Sequence, residues 1–205
     1  MTSSQPIFEC RPDMMKCTLF ITQQCNLACD YCYIGKKNAT MPVPVARRIL
    51  DCVFAGLKPD ERLEIGFFGG EPLLEFGLVR KITALIHQHP SFDPGRVTIS
   101  LVTNGTIMNN EILDFLRQKK IVLCVSCDGP PDVQDLHRHY RDGRGSSPAV
   151  ENTLRQVLPV FPLLPVNAVY SQKTLARLPA IVEYLIALGV RNIFLSPDIS
   201  SSWTR

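Results

Sequence analysis

The chain has 205 residues, 45% apolar and 20% charged, the composition of one globular domain or at most two small ones. A net charge of +3, with basic runs no longer than the pairs Lys36-Lys37, Arg47-Arg48 and Lys119-Lys120, excludes the basic stripe of a nucleic-acid binder. No run of 18 apolar residues suggests a membrane span, the N-terminus has no signal-peptide pattern, and the cytoplasm is the expected compartment.

Residues 16–22 read as a short apolar strand. Residues 43–57 carry Val45, Ile49, Cys52, Val53 and Leu57 at helical spacing. A second strand, 63–68, stops at Gly69-Gly70. Residues 73–87 read as a helix with Leu74, Leu78, Ile82, Leu85 and Ile86 on one face. A strand at 96–102 ends in Thr103, Asn104 and Gly105, and a short helix follows at 110–118. The strand at 121–127 is stopped by Asp128, Gly129 and Pro130, and residues 131–147 read as a polar loop. Then come a helix at 149–158, a strand at 164–170, a helix at 174–188 closed by Gly189, and a strand at 190–196.

Strand and helix alternate throughout, which argues a parallel sheet with helices outside, either doubly wound or a barrel-like wall. The strand around Ile121, Leu123 and Val125 reads as apolar on both faces, as if covered on both sides. The Gly-rich and polar segments, together with a group of cysteines, all follow C-terminal strand ends. That rim is where parallel α/β folds bind ligands.

In a reducing compartment, clustered thiols hold metals or do chemistry. Of eight cysteines, Cys25, Cys29 and Cys32 form a C-x3-C-x2-C loop. Thiolates can hold zinc or an iron–sulfur cluster. Structural zinc takes four ligands, and no His or fourth Cys lies nearby. Three thiolates leave one iron of a 4Fe-4S cluster open to a cofactor. Cys10, Cys17, Cys52, Cys124 and Cys127 are scattered, and Cys52 reads as a core residue. The four histidines sit in polar ends and loops and read mostly as surface residues. Gly69 and Gly70 let a ligand approach the backbone, Glu71 adds a carboxylate, and Pro72 opens a helix.

The cysteine triad with Tyr31 before its last member, followed by Gly69-Gly70-Glu71-Pro72, resembles radical S-adenosylmethionine (radical SAM) enzymes over essentially the whole chain. Thr103-Asn104-Gly105-Thr106, Ser126-Cys127-Asp128-Gly129-Pro130, Asp135-x-x-Arg138 and Gly143-Arg144-Gly145-Ser146 are similar to the peptide- and protein-maturing branch. That branch includes sulfatase-maturing and thioether-peptide enzymes with a C-terminal SPASM domain.

The resemblance implies a partial parallel (β/α)6 barrel, with residues 1–15 an N-terminal extension and 16–205 the core. It implies a 4Fe-4S cluster on Cys25, Cys29 and Cys32, with S-adenosylmethionine on the open iron. Tyr31 would pack beside the adenine. Gly69, Gly70 and Glu71, with Pro72, would bind the methionyl ammonium. Ser126 and Arg138 would bind the carboxylate or ribose, Arg141 being a competing choice, and Asn104 is either a cofactor contact or a turn former. The implied reaction is reductive cleavage to a 5′-deoxyadenosyl radical that modifies a peptide or protein side chain. The alternatives are a compact small-molecule radical enzyme and a cluster-binding fragment without turnover. An electron donor such as flavodoxin or ferredoxin is implied. Cys127 and Gln134 depart from the family pattern, which more often has an aliphatic residue and a His there. The last core helix and any auxiliary-cluster domain are expected to be missing, leaving an open edge for a second copy or a partner chain.

Overall fold

The computed structural model describes residues 13–200 and Trp203. Cys10 and most of the expected N-terminal extension lie outside the described residues. Six strands, β1 (Met14–Thr22), β2 (Arg62–Gly69), β3 (Val97–Thr103), β4 (Val122–Ser126), β5 (Pro165–Tyr170) and β6 (Asn192–Pro197), form one sheet in sequential order. Every neighbouring pair is parallel. The first strand starts earlier than expected, because Met14 and Met15 pair with Arg62 and Leu63.

The helices are α1 (Val43–Gly56), α2 (Phe76–Gln88), α3 (Asn110–Gln118), α4 (Pro131–His137), α5 (Ser147–Val157) and α6 (Leu178–Ala187). Parallel crossovers are right-handed, and a strand order that always advances the same way sends every crossover to the same side. Leu19, Ile21, Ile65, Phe67, Leu101, Val125 and Val166 are therefore buried against Leu50, Ile82, Ile86, Leu116, Leu154 and Ile181. Each such side chain stabilises the fold by about 1.5–3 kcal/mol. Among the described residues the opposite face has no helical cover. It carries Thr18 and Phe20 of β1, Glu64 of β2 and Ser126 of β4, none of them fully buried. Expected cover on both faces gives way to cover on one, and the sheet is an open wall rather than a closed barrel.

Helical phase departs from expectation in two places. Helix α1 buries Ala46, Leu50 and Phe54, so Cys52 faces solvent instead of the core. Pro72–Glu75 is a separate 3-10 turn, and α2 buries Val79, Ile82, Thr83 and Ile86 while Leu74 is left exposed. The expected loop at 131–147 contains α4, opened by Pro131 at its first turn with Asp132 beside it. Gly189, at φ +99°, ends the last helical segment as expected.

Candidate cofactor site

The cysteine loop leaves the sheet at Thr22 and is tied down on both flanks. On one flank Gly70 N donates to Thr22 O and Glu71 N to Gln24 O, each at 2.8 Å. A Cβ on Gly69 would stand 2.2 Å from Thr22 O, and one on Gly70 would stand 2.0 Å from Gln24 O. Gly69 also has φ +140°. Both glycines are thus required by the approach of the loop's own backbone. On the other flank Ala28 N donates to His139 O at 2.8 Å and Asp30 N to His137 O at 3.0 Å. His137 is buried, against expectation, because its ring bridges Asp30 and Ser171 at 3.2 and 2.9 Å.

Cys25, Cys29 and Cys32 line one cavity of about 570 Å³, with Tyr31, Gly69, Gly70, Asn104, Ser126 and Arg138. Burial pushes the Cys25 and Cys29 thiols up. Arg138 pulls Cys29 back, as does the Leu27 N–H for Cys25. Among the described residues no three His, Cys, Asp or Glu side chains close on a single-ion point. Ligands on separate irons of one cluster need not close so tightly.

Glu71 and Pro72 do not line the cavity. Glu71 is completely buried, and its carboxylate accepts from Leu73 N at 3.0 Å, Thr103 Oγ1 at 2.9 Å and Asn104 N at 2.6 Å. The carboxylate lies behind the cavity wall, where it ties the turn after β2, through Leu73, to the end of β3 and the turn that follows, through Thr103 and Asn104. Pro72 is buried behind it and opens the 3-10 turn. Asn104 forms its turn, accepting from Thr106 N at 3.0 Å, and also reaches the cavity.

A second buried acid stands opposite. Asp128, in the turn after β4, accepts from the Tyr31 hydroxyl and, at 2.9 Å, from Val169 N. Tyr31 in turn accepts from Arg138 Nη1 at 2.9 Å. Burial pushes Asp128 up and the Arg138 guanidinium pulls it back. Burial also holds the Tyr31 hydroxyl well above its ordinary value, so it donates as a neutral phenol. Gln134 is fully buried, takes the Asp128 N–H on Oε1 at 2.7 Å and donates to Ser146 Oγ at 2.9 Å. Asp135 accepts from Ser147 N and Oγ, and a Cβ on Gly145 would strike it. The segments around Asp135 and Ser146 therefore hold Arg138 in place, and Cys127 packs in the core.

Arg138 is 7% exposed, and its Nε is buried with no hydrogen-bond partner. Arg141 is exposed, so burial separates the two candidates. A buried guanidinium that borders a cavity with its hydrogen bonds incomplete fits an anionic group such as a carboxylate. Among the described residues that line the cavity there is no fourth Cys and no His beside the three thiols, and this donor set fits a cluster and an amino-acid-like cofactor. Asn167, Phe194 and Ser196 also line the cavity and were not singled out from the sequence. Asn167 pairs in register with Ser126 on one side and Phe194 on the other. A polar residue inside the otherwise apolar run Val166-Asn167-Ala168-Val169 was the available signal.

The model of the radical SAM superfamily matches residues 19–162, more than half of the chain. The chain is 32% identical over 179 residues to an uncharacterized protein of Methanocaldococcus jannaschii, covering 85% of this chain and 59% of that one. It is 32% identical over 186 residues to the serine-type anaerobic sulfatase-maturating enzyme of Klebsiella aerogenes, covering 86% of this chain and 44% of that enzyme. Among solved structures, anSMEcpe with bound AdoMet has a similar fold, with TM-score 0.82 at 20% identity over 91% of this chain and 52% of that one. The chain spans 59%, 34% and 44% of the length of three curated relatives it matches, about half or less. Its sequence match and its fold together place the chain in the radical SAM superfamily.

Proposed function

We propose that this chain is the core of a radical SAM enzyme that modifies a side chain of a peptide or protein. The observation that carries the reading is the meeting of three thiols and the buried Arg138, whose Nε has no hydrogen-bond partner, around one cavity. Cys25, Cys29 and Cys32 would hold a 4Fe-4S cluster. Arg138 would take the cofactor's carboxylate on its guanidinium, with Ser126 beside it. Tyr31 would wall the cavity with its ring while its hydroxyl keeps Arg138 aimed. Gly69 and Gly70 would leave the backbone open to the ammonium. When bound, these groups supply the hard chemistry: one electron enters the sulfonium, a carbon–sulfur bond breaks, and hydrogen is taken from the substrate. The protein positions the partners and keeps water out.

The peptide reading is supported by relatives named as sulfatase-maturating enzymes. It is also supported by the similar fold of anSMEcpe with bound AdoMet and Cp18Cys peptide, at TM-score 0.81 and 22% identity. The cavity continues past the cysteines to Val169, Phe194 and Ile199, an apolar stretch that suits a substrate side chain. The electron would come from a flavodoxin- or ferredoxin-type donor, and free thiols suit the cytoplasm.

The test is anaerobic: reconstituted protein with S-adenosylmethionine and dithionite should release methionine and 5′-deoxyadenosine. Arg138→Met should weaken S-adenosylmethionine binding at least tenfold, since removing a partner of a buried charge costs about 2–5 kcal/mol. Unchanged affinity would remove Arg138 from the site. A mass change in a peptide encoded beside the gene supports the peptide reading. Cofactor cleavage coupled only to a small molecule would replace it.

A further inference from the structure

We infer that Asn104 tunes the reduction potential of the cluster by donating a hydrogen bond to one of its three thiolates, Cys25. The inference rests on the assignment of Cys25, Cys29 and Cys32 as cluster ligands.

The orientation of the Asn104 amide is set by a closed ring of side chains. Asn26 Nδ2 donates to Thr106 Oγ1 at 2.7 Å, and Thr106 Oγ1 donates to Asn104 Oδ1 at 2.6 Å. Asn104 Nδ2 closes the ring on Asn26 Oδ1 at 2.9 Å. Thr106 N also donates to Asn104 Oδ1 at 3.0 Å. With two donors on its oxygen, the amide cannot be flipped. One of the two Nδ2 protons serves Asn26. The other points at Cys25 Sγ, 3.7 Å away. The residue is held from behind as well, because its backbone N–H is bound to the buried Glu71 carboxylate. Side chain and main chain therefore leave one spare donor, and it faces one sulfur.

The three thiols are not equivalent in this respect. Cys25 Sγ receives Leu27 N at 3.4 Å in addition to Asn104. Cys32 Sγ faces the Ile34 carbonyl, an acceptor, at 3.9 Å. Among the described residues no N–H is bonded to Cys29 or Cys32 sulfur. Hydrogen bonds to cluster sulfurs stabilise the more negative, reduced state and raise the potential. Asn104 does this from a position only 5% exposed. It is a positioning and tuning residue, acting through Cys25 without touching the substrate.

The experiment compares reconstituted wild type with Asn104→Ser and Asn26→Ala by iron content and by EPR-monitored redox titration. A serine can accept from Thr106 N but is too short to reach Cys25. Asn104→Ser should keep its iron and show a more negative midpoint potential. Asn26→Ala, which opens the ring but leaves the donor, should shift it less. An unchanged midpoint in iron-loaded Asn104→Ser would overturn the inference. If that variant fails to hold iron, wild type labelled with ¹⁵N at asparagine side chains decides. Pulsed EPR of the reduced cluster should show coupling to an amide ¹⁵N that Asn26→Ala retains, and absence of coupling overturns the inference. Loss of iron from wild type itself would instead overturn the cluster assignment on which the inference rests.

Discussion

Glu71 and Asp128 are both fully buried carboxylates. They flank the cysteine loop, and they are satisfied in different ways. Glu71 accepts from three neutral donors, Leu73 N, Thr103 Oγ1 and Asn104 N. Asp128 accepts from Tyr31 and Val169 N and lies in the field of Arg138. The Glu71 flank is closed. Its acid organises the turn after β3 and, through Asn104, the Cys25 side of the loop. The Asp128 flank ends in a cation that borders the cavity and whose buried Nε has no hydrogen-bond partner. Two buried acids beside one loop thus differ in what their oxygens accept, neutral donors at Glu71 and a phenol held by a cation at Asp128.

The largest expected effect is at Asp128. Asp128→Ala would strand the Tyr31 hydroxyl and Val169 N–H and leave Arg138 buried without its counter-charge. Breaking such a buried arrangement costs about 3–5 kcal/mol. Denaturant unfolding should show the loss, and S-adenosylmethionine affinity should fall with it. Asp128→Asn should cost less, since an amide oxygen still accepts. Equal losses at Asp128→Ala and Glu71→Ala would erase the distinction between the two flanks.

Glu71→Ala should cost less, about 1–3 kcal/mol, because water entering the vacated space can pair part of the stranded donors. At temperatures where the variant is folded, calorimetry should give an S-adenosylmethionine affinity within a few-fold of wild type. A loss of tenfold or more would restore Glu71 as a direct ligand contact.

The smallest effect concerns the strap outside the cysteine loop. The Tyr140 carbonyl and then Asp30 raise His139 above its ordinary value. Slight burial pushes Asp30 up, but His139 and His137 outweigh it and hold the carboxyl low. The raised histidine stabilises fully below its unfolded value, and its contribution disappears as pH rises through the folded one. The lowered aspartate stabilises fully above its unfolded value and loses this as pH falls through the folded one. Melting temperature should plateau between roughly pH 4 and 6.5 and decline above it. The total is under about 1 kcal/mol, because the pair is partly exposed and screened by solvent. His139→Gln should flatten the alkaline decline. An identical decline in that variant would assign the pH dependence elsewhere.

The six strands were legible because each is a short apolar run, three of them closed by Gly69-Gly70, Asn104-Gly105 and Asp128-Gly129, and the rim position of the cysteine loop followed from them. Helical phase was less legible. Placing Cys52 in the core overlooked the stripe of Ala46, Leu50 and Phe54, and placing Leu74 beside Ile82 and Ile86 overlooked Val79. Helix α4 has only seven residues, too few for a periodic signal, although Pro131 and Asp132 marked its start. Arg138 and Arg141 could not be separated by local pattern, because their difference is burial by distant elements. Nor could sequence spacing show that Gly69 and Gly70 are small for the sake of Thr22 and Gln24. The cavity wall of Asn167, Phe194 and Ser196 depends on the register between β4, β5 and β6, which exists only in the folded sheet.

The most direct measurement is iron and sulfide content of the anaerobically reconstituted chain and its Cys→Ala variants, with the EPR spectrum of the reduced cluster before and after S-adenosylmethionine is added. The wild type should bind about four irons, and its spectrum should change on addition of the cofactor. Cys25→Ala, Cys29→Ala and Cys32→Ala should each lose the cluster, while Cys52→Ala, whose thiol is exposed on α1, should keep it. Stoichiometric zinc without iron in protein purified anaerobically would contradict the assignment of the three thiols, as would an intact cluster in Cys29→Ala.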